Sequence, residues 1–480
     1  MALRVVGSNP IIHPNKKPRS GGAFLFLPMQ SVSSTPDRTS YSSPGHIFRI
    51  AWPILVGSLA QNIIGITDTA FMGRVGETEL AAAAIGGIYF FVLYMMGYSF
   101  SNGMQIIVAR RSGEQRPDAI GKTFDHALYI VAGVIVFQWF NLAYLTPRLL
   151  GLLVSNDAIR DRALDFLHYR GLGIFFTILN SCFLCFFVGI GKTFVINFTT
   201  LTLCLVNVGM AWLLVFGHAG LHPMGIRGAG LASALADASV TLVYLIYLFR
   251  LGYKKIYGLF RFRSFDTSLI RKMLKLSLPI FFQQLITMST WFGFFIFIEH
   301  RGQRSLAVSN IIKSIYIFIG IPTWALAQTT NTMVSNLLGQ KKPEEVIPLL
   351  RRIVRMNLLV ALFICLLLVL LRSTVLRLFT NDLQVIHDAW PVYPVIMTAS
   401  FLSSISLLCL FAVTGTGSSS WALFAEIISI TLYLLYVYLT AIVLQCSLPA
   451  IWGAEVVYWT VAFCLSAGFL RWGPWRENKL

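Results

Sequence analysis

Apolar runs long enough to cross a hydrocarbon core of ~30 Å, about 20 residues each, recur twelve times along this chain of 480 residues. They fall at roughly 47–71, 80–109, 124–147, 164–190, 194–217, 228–249, 269–298, 305–338, 353–371, 389–414, 420–445 and 450–471. In lipid, only segments that satisfy their own backbone groups survive, so runs of this kind fold as helices. The composition excludes a soluble globule, with 56% hydrophobic residues, 12% charged and a mean hydropathy of +0.71. The expected fold is an all-α polytopic membrane protein of twelve transmembrane helices, bathed in membrane lipid.

A net charge of +18 invites a nucleic-acid reading, which the placement of the basic residues excludes. Laid out between twelve spans with both termini on one side, 27 Lys and Arg residues fall on that side and 9 on the other. The largest group is the segment 250–275 with eight. The excess of Lys and Arg in cytoplasmic loops places both termini and this segment in the cytoplasm. The basic charge reports topology, and no nucleic-acid partner is expected.

The chain is duplicated. Pro53 and Pro279, Leu80-Ala81 and Leu306-Ala307, Ile85 and Ile311, Gly113 and Gly339, Pro117 and Pro343, Gly189 and Gly415, and Gly191 and Gly417 are all separated by 226 residues. An even number of helices per repeat means both halves enter the membrane from the same side. The two six-helix bundles are therefore related by a pseudo-two-fold axis along the membrane normal, the parallel-repeat plan of a secondary transporter. The expected organisation is a disordered cytoplasmic tail at 1–45, an N-lobe at 46–250, a cytoplasmic linker at 251–268, a C-lobe at 269–472 and a cytoplasmic tail at 473–480. A natural start at Met29 is the alternative for the first segment.

Two decoys are set aside. "VGIGKTF" ends like a phosphate-binding loop, but Phe186 stands where that loop needs its first glycine, and the second half reads "TGTGSSS". Seven cysteines, an odd number and all in or beside apolar runs, give no disulfide framework. Cys182 and Cys185 are read as small buried residues rather than a redox pair. No metal-ligand cluster, cofactor motif, paired catalytic acids or nucleophile elbow appears, so neither an enzyme nor a bound cofactor is expected.

Without ATP hydrolysis, energy for transport has to enter through an ion gradient, which requires ionisable groups within the spans. These are Asp68, Asp237, Glu299, Lys313, Glu426 and Glu455, with Asp125 near a helix end. Gln61 lies seven residues before Asp68, on the same helical face. Glu299 and Lys313 flank one hairpin and are read as a structural ion pair.

"ITDTAFMGRVG", the turn "ARRSGEQRP", "NVGMAWLLVFG" and "MGIRGAGLASALA" together resemble the multidrug and toxic compound extrusion family, of the NorM and DinF type, over about residues 47–470. The resemblance implies cation-coupled export of drug-like or metabolite solutes, with a proton or sodium ion moving inward. It implies that Asp68 is a coupling group, that Asn207 joins it from the fifth helix, and that Ser233 supplies a hydroxyl from the sixth. The family's acid or amide four residues after Asn207 is missing, since that position is Ala211. Asp237, one turn beyond Ser233, is the expected replacement. Where the NorM branch carries acids on the seventh and tenth helices, this chain has Thr287 and about Ser403. Pro53 matches a first-helix proline and is the candidate hinge.

The leading expectation is thus an antiporter for organic cations or similar solutes, working as a monomer in the inner membrane, by rocking of the two bundles. The alternative is a flippase for a lipid-linked sugar precursor, which calls for a strongly cationic central cavity.

Overall fold

The computed structural model describes residues 42–262 and 264–477. Twelve helical spans follow in order: α1 Pro44–Val75, α2 Glu77–Gly113, α3 Pro117–Leu153, α4 in two pieces Asp157–Gly171 and Ile174–Gly189, α5 Val195–Phe216 and α6 Ile226–Arg250. The second half repeats the plan with α7 Thr267–Glu299, α8 Gln303–Gly339, α9 Pro343–Leu370, α10 Leu383–Gly415, α11 Ser419–Val443 and α12 Leu448–Trp472. Ser43 caps α1, its hydroxyl accepting from the His46 N–H, so the helix starts two residues before the expected lobe boundary. The rest of the expected N-terminal tail, with Met29, lies outside the described residues.

Two spans depart from a straight rod. The third continues past residue 147 because a π-turn at Asn141–Leu145 is bridged by Thr146, whose hydroxyl donates to the Asn141 carbonyl at 3.0 Å. The fourth bends by 55° between its two pieces. The bend has a packing cause: a Cβ at Gly173 would stand 2.7 Å from Ala234 Cα of α6, so only glycine permits this approach.

The repeat also explains the other paired glycines. A Cβ at Gly113 would stand 2.0 Å from the Asn336 carbonyl oxygen, and one at Gly339 2.1 Å from that of Arg110. Asn336 is itself the repeat equivalent of Arg110. At the end of the molecule that carries the basic loops, α2 and α8 therefore meet backbone to backbone. Gln105 Nε2 donates to Thr332 Oγ1 at 2.9 Å and Ser335 Oγ to the Ile106 carbonyl at 2.7 Å. Residues 101–110 and 325–335 are buried throughout, whereas the opposite halves of both helices are partly exposed. The lobes thus close at the basic-loop end.

The segment 251–268 is anchored rather than free. Asp125 of α3 accepts from the N–H groups of Phe260, Arg261 and Phe262 at 2.7, 2.9 and 2.9 Å. Next to it, His126 Nε2 accepts from the Asp266 N–H, and Lys122 pairs with the Asp266 carboxylate at 2.7 Å. Asp266 also caps α7, accepting from the Leu269 N–H at 3.1 Å. Beyond α12 the chain does not simply trail away: Trp475 is buried and donates to the Leu470 carbonyl at 2.9 Å.

Candidate functional site

In the N-lobe, α1 packs along α5, and α5 along α6, and two of the expected coupling residues meet on α5 and α6. Asn207 is buried, and its Nδ2 donates to Ser233 Oγ at 2.9 Å, so this expected pairing is made. The Asn207 amide oxygen is buried and accepts no hydrogen bond among the described residues. An oxygen left in that state is costly unless a ligand, ion or water completes it. Asp68 is half-buried on α1 and accepts no hydrogen bond among the described residues, and Gln61 beside it is exposed. Pro53 is buried inside α1, and the helix runs through it without a break.

Asp237 does not join Asn207 and Ser233. Its Oδ2 accepts from Arg170 Nη1 at 2.8 Å and from Thr177 Oγ1 at 2.5 Å, while its carbonyl accepts from Asn180 Nδ2 at 2.8 Å. Arg170 stands at the end of the first piece of α4, and the bend at Gly173 turns this end against Ala234, one turn from Asp237 on α6. The guanidinium lies over the Phe90 ring, 4.0 Å from its centroid. Both charged side chains are largely shielded, at 15% and 12% exposure. Of the two N-lobe span carboxylates, Asp237 is thus paired and Asp68 is open. The sequence marks Arg170 only as a rare basic residue within a span; what selects it as the partner is the bend.

The expected Glu299–Lys313 pair does not form. Lys313 Nζ contacts Asn310 Oδ1 at 3.3 Å and lies 4.5 Å from the centroid of the Phe295 ring, while Glu299 is exposed at the end of α7. Thr287, at one of the family's acid positions, donates instead to Glu426 of α11 at 2.7 Å.

Between the lobes lies a cavity whose lining includes Tyr98 and Asn102 of α2, Gln283 and Gln284 of α7, Gln328 of α8 and Phe411 of α10. Its polar groups are neutral amides and hydroxyls tied across the lobe boundary. Asn102 Nδ2 donates to Gln328 Oε1 at 3.4 Å, Asn331 Nδ2 to Asn102 Oδ1 at 3.3 Å, and Gln328 Nε2 to the Tyr98 hydroxyl. The cationic cavity that the flippase alternative requires is not what these residues build.

Residues 53–213 and 279–439 each match the MatE family, and the two matches are offset by the same 226 residues as the internal repeat. The chain belongs to the MatE family. It is 25% identical over 362 residues, 75% of this chain and 77% of the relative, to a probable multidrug resistance protein NorM of Aromatoleum aromaticum. Its fold is similar to that of a Vibrio cholerae MATE transporter, with a TM-score of 0.84 at 16% identity over 92% of this chain and 99% of that one. It is also similar to an outward-facing multidrug resistance MATE transporter, with a TM-score of 0.82 at 16% identity over 90% and 96% of the two chains. As a MatE protein with these spans, it is a multi-pass membrane protein built from two six-helix repeats.

Proposed function

We propose that this MatE protein is a secondary antiporter that exports organic cations or similar drug-like and metabolite solutes in exchange for inward protons. The observation that carries the reading is the open carboxylate of Asp68 in a membrane span, in a lobe whose shielded Arg170 is already paired with Asp237. A charged Asp68 attracts a cationic solute, and a proton on Asp68 removes that attraction. Proton and cation then become alternative ligands of one N-lobe site. The unpartnered amide oxygen of Asn207 on α5 offers a further acceptor in the same lobe.

Closure of the lobes at the basic-loop end suits a resting form open to the outside if, as proposed here, the basic loops and both termini face the cytoplasm; the protein is read as a monomer in the inner membrane. Each charge carried inward across ~100 mV contributes about 2.3 kcal/mol, and each pH unit about 1.4 kcal/mol more. The names of the NorM relatives support drug-like solutes.

The test is substrate-triggered proton release from inside-out vesicles, with ethidium or norfloxacin, for wild type and Asp68→Asn, with and without sodium. Release that disappears in the variant and ignores sodium supports the proposal. Release that requires sodium reassigns the ion, and transport unaffected by the variant overturns the role of Asp68.

A further inference from the structure

Lys and Arg are scarce on the side away from the basic loops, yet two of them, Arg372 and Arg377, fall in one short helix there, Arg372–Phe379. The helix begins just after α9 ends at Leu370, and α10 begins soon after it, at Leu383. A segment this close to the end of a span lies at the level of the lipid headgroups. Leu376 of the short helix and Val385, Ile386 and Ala389 of α10 are buried in the C-lobe core, which fixes both pieces in place. Between them opens a pocket of about 230 Å³. Ser373 and Arg377, one turn apart, line it from the short helix, and Leu383, Ile386, His387 and Trp390 line it from the first turns of α10.

The pocket carries positive charge that no protein group answers. Arginine keeps its charge at any physiological pH, and among the described residues Arg377 has neither an ion pair nor a hydrogen bond. Arg372 has none either, and its guanidinium lies over the Trp390 ring, 4.4 Å from the centroid. The two carboxylates at hand are engaged elsewhere. Asp382 caps α10, accepting from the Gln384 N–H at 2.8 Å, and Asp388 pairs with Arg304 at 2.6 Å, its other oxygen 3.6 Å from His387 Nδ1. The Ser373 hydroxyl has no partner among the described residues. A guanidinium, an imidazole and a hydroxyl on facing walls are a donor set for phosphate oxygens.

The surroundings decide which phosphate. Leu370, Leu378 and Leu383 are 72%, 80% and 70% exposed, an apolar border that suits lipid and not a soluble anion. Leu359, Phe363, Leu366 and Leu370 are exposed at helical spacing along α9, a track for an acyl chain that ends at the short helix. The feature is not a by-product of the duplication. At the 226-residue offset, Ser373, Arg377 and His387 correspond to Pro147, Gly151 and Asp161. In that lobe the nearby Arg160 is answered by Asp157 at 2.6 Å.

We propose that this pocket binds the headgroup phosphate of an anionic phospholipid in the leaflet away from the basic loops. Arg377 meets the phosphate charge, Ser373 and His387 donate to its oxygens, and an acyl chain lies along the exposed face of α9. The lipid then joins the end of α9 to the start of α10. The proposal does not rest on the export reading, and its test involves no transport.

The test uses the full chain in phosphatidylcholine liposomes that contain a small share of a photoreactive lipid, either phosphatidylglycerol or phosphatidylcholine, with the reactive group at the start of one acyl chain. Labelled peptides are mapped by mass spectrometry. Label on the stretch 366–390 is expected from the phosphatidylglycerol probe, well above that from the phosphatidylcholine probe. Arg377→Gln is expected to reduce it about fivefold, the factor that one surface arginine contributes toward an anionic lipid. Arg148→Gln, which removes a charge from the corresponding stretch of the N-lobe, is expected to leave it unchanged. The wild-type contrast between the two lipids needs no variant, so a misfolded variant cannot decide the outcome. Equal label from both probes, label only elsewhere, or equal loss in the two variants overturns the proposal. Displacement of the label by soluble glycerol phosphate overturns it as well, since the site then takes a free phosphate.

Discussion

Asn102 and Gln328 occupy the same position in the two repeats, 226 residues apart, and they hydrogen-bond to each other at 3.4 Å. Equivalent residues of two related halves touch only on the axis that relates them, so this contact marks the pseudo-two-fold axis. It also stands where the lobes must part for the cavity to open toward the basic loops. The glycine pair Gly113 and Gly339 seals the same junction further along.

That seal predicts the effect of a single methyl group. Gly339→Ala drives a Cβ against the Arg110 carbonyl, which is backbone and cannot swing aside. Overpacking of this kind costs roughly 1–3 kcal/mol, here charged only to the form closed at this end. A cysteine placed at Ser335 is expected to react faster with a membrane-impermeant thiol reagent added from the basic-loop side in Gly339→Ala than in the parent. Equal rates would show that the junction is not the closing contact.

Removing one member of the Arg170–Asp237 pair leaves the other charge without its partner. Arg170→Ala is expected to cost about 3–5 kcal/mol, seen as a drop in melting temperature in detergent. The double variant Arg170→Met/Asp237→Leu is expected to recover most of this loss, because no charge is left buried. If the double variant melts as low as the single one, the pair is not what stabilises the α4–α6 contact.

Asn207 and Ser233 are expected to act as a unit. Each of Asn207→Ala and Ser233→Ala breaks the same hydrogen bond, worth about 1 kcal/mol, so their effects on stability should fail to add by a similar amount. Asn207→Ala alone also removes the open amide oxygen, and should lower ethidium export where Ser233→Ala largely spares it. Equal losses of export would show that the bond, rather than the oxygen, matters.

The linker supplies a pH dependence outside the membrane. The hydrogen bond from Lys122 and the capping N–H of Leu269 hold the Asp266 carboxyl below its ordinary range. A depressed folded-state pKa adds stability that is present above the unfolded value, about 3.9, and is lost as pH falls through the folded value. Amide exchange at the start of α7, corrected for intrinsic rates, should therefore be flat from neutral pH down to about pH 5 and rise below the ordinary carboxylate range. Asp266→Asn should show the raised exchange at every pH.

Asp125 predicts a separate effect on the same segment. Asp125→Ala orphans the N–H groups of Phe260, Arg261 and Phe262 together. Trypsin is expected to cut at Lys254 and Lys255 faster in this variant, while the spans stay protected. An unchanged digestion pattern would mean that the aromatic packing of Phe124 on Phe260 is sufficient to hold the linker.

The sequence by itself determined the twelve spans, the duplication and the basic-loop side, because each rests on a one-dimensional property. Hydropathy over about 20 residues measures the cost of leaving lipid, and a constant 226-residue offset needs no coordinates to be seen. Asn207 and Ser233 were marked only by the family resemblance, and the hydrogen bond between them is a finding of the structure. Which charge meets which was decided by tertiary structure. Arg170 reaches Asp237 only because α4 bends at Gly173 against Ala234, and Glu299 and Lys313 stay apart although one short turn joins their helices. Glu426 meets Thr287 across 139 residues of chain. Such contacts depend on the rotation and tilt of whole helices, which packing sets and which no local pattern of side chains encodes.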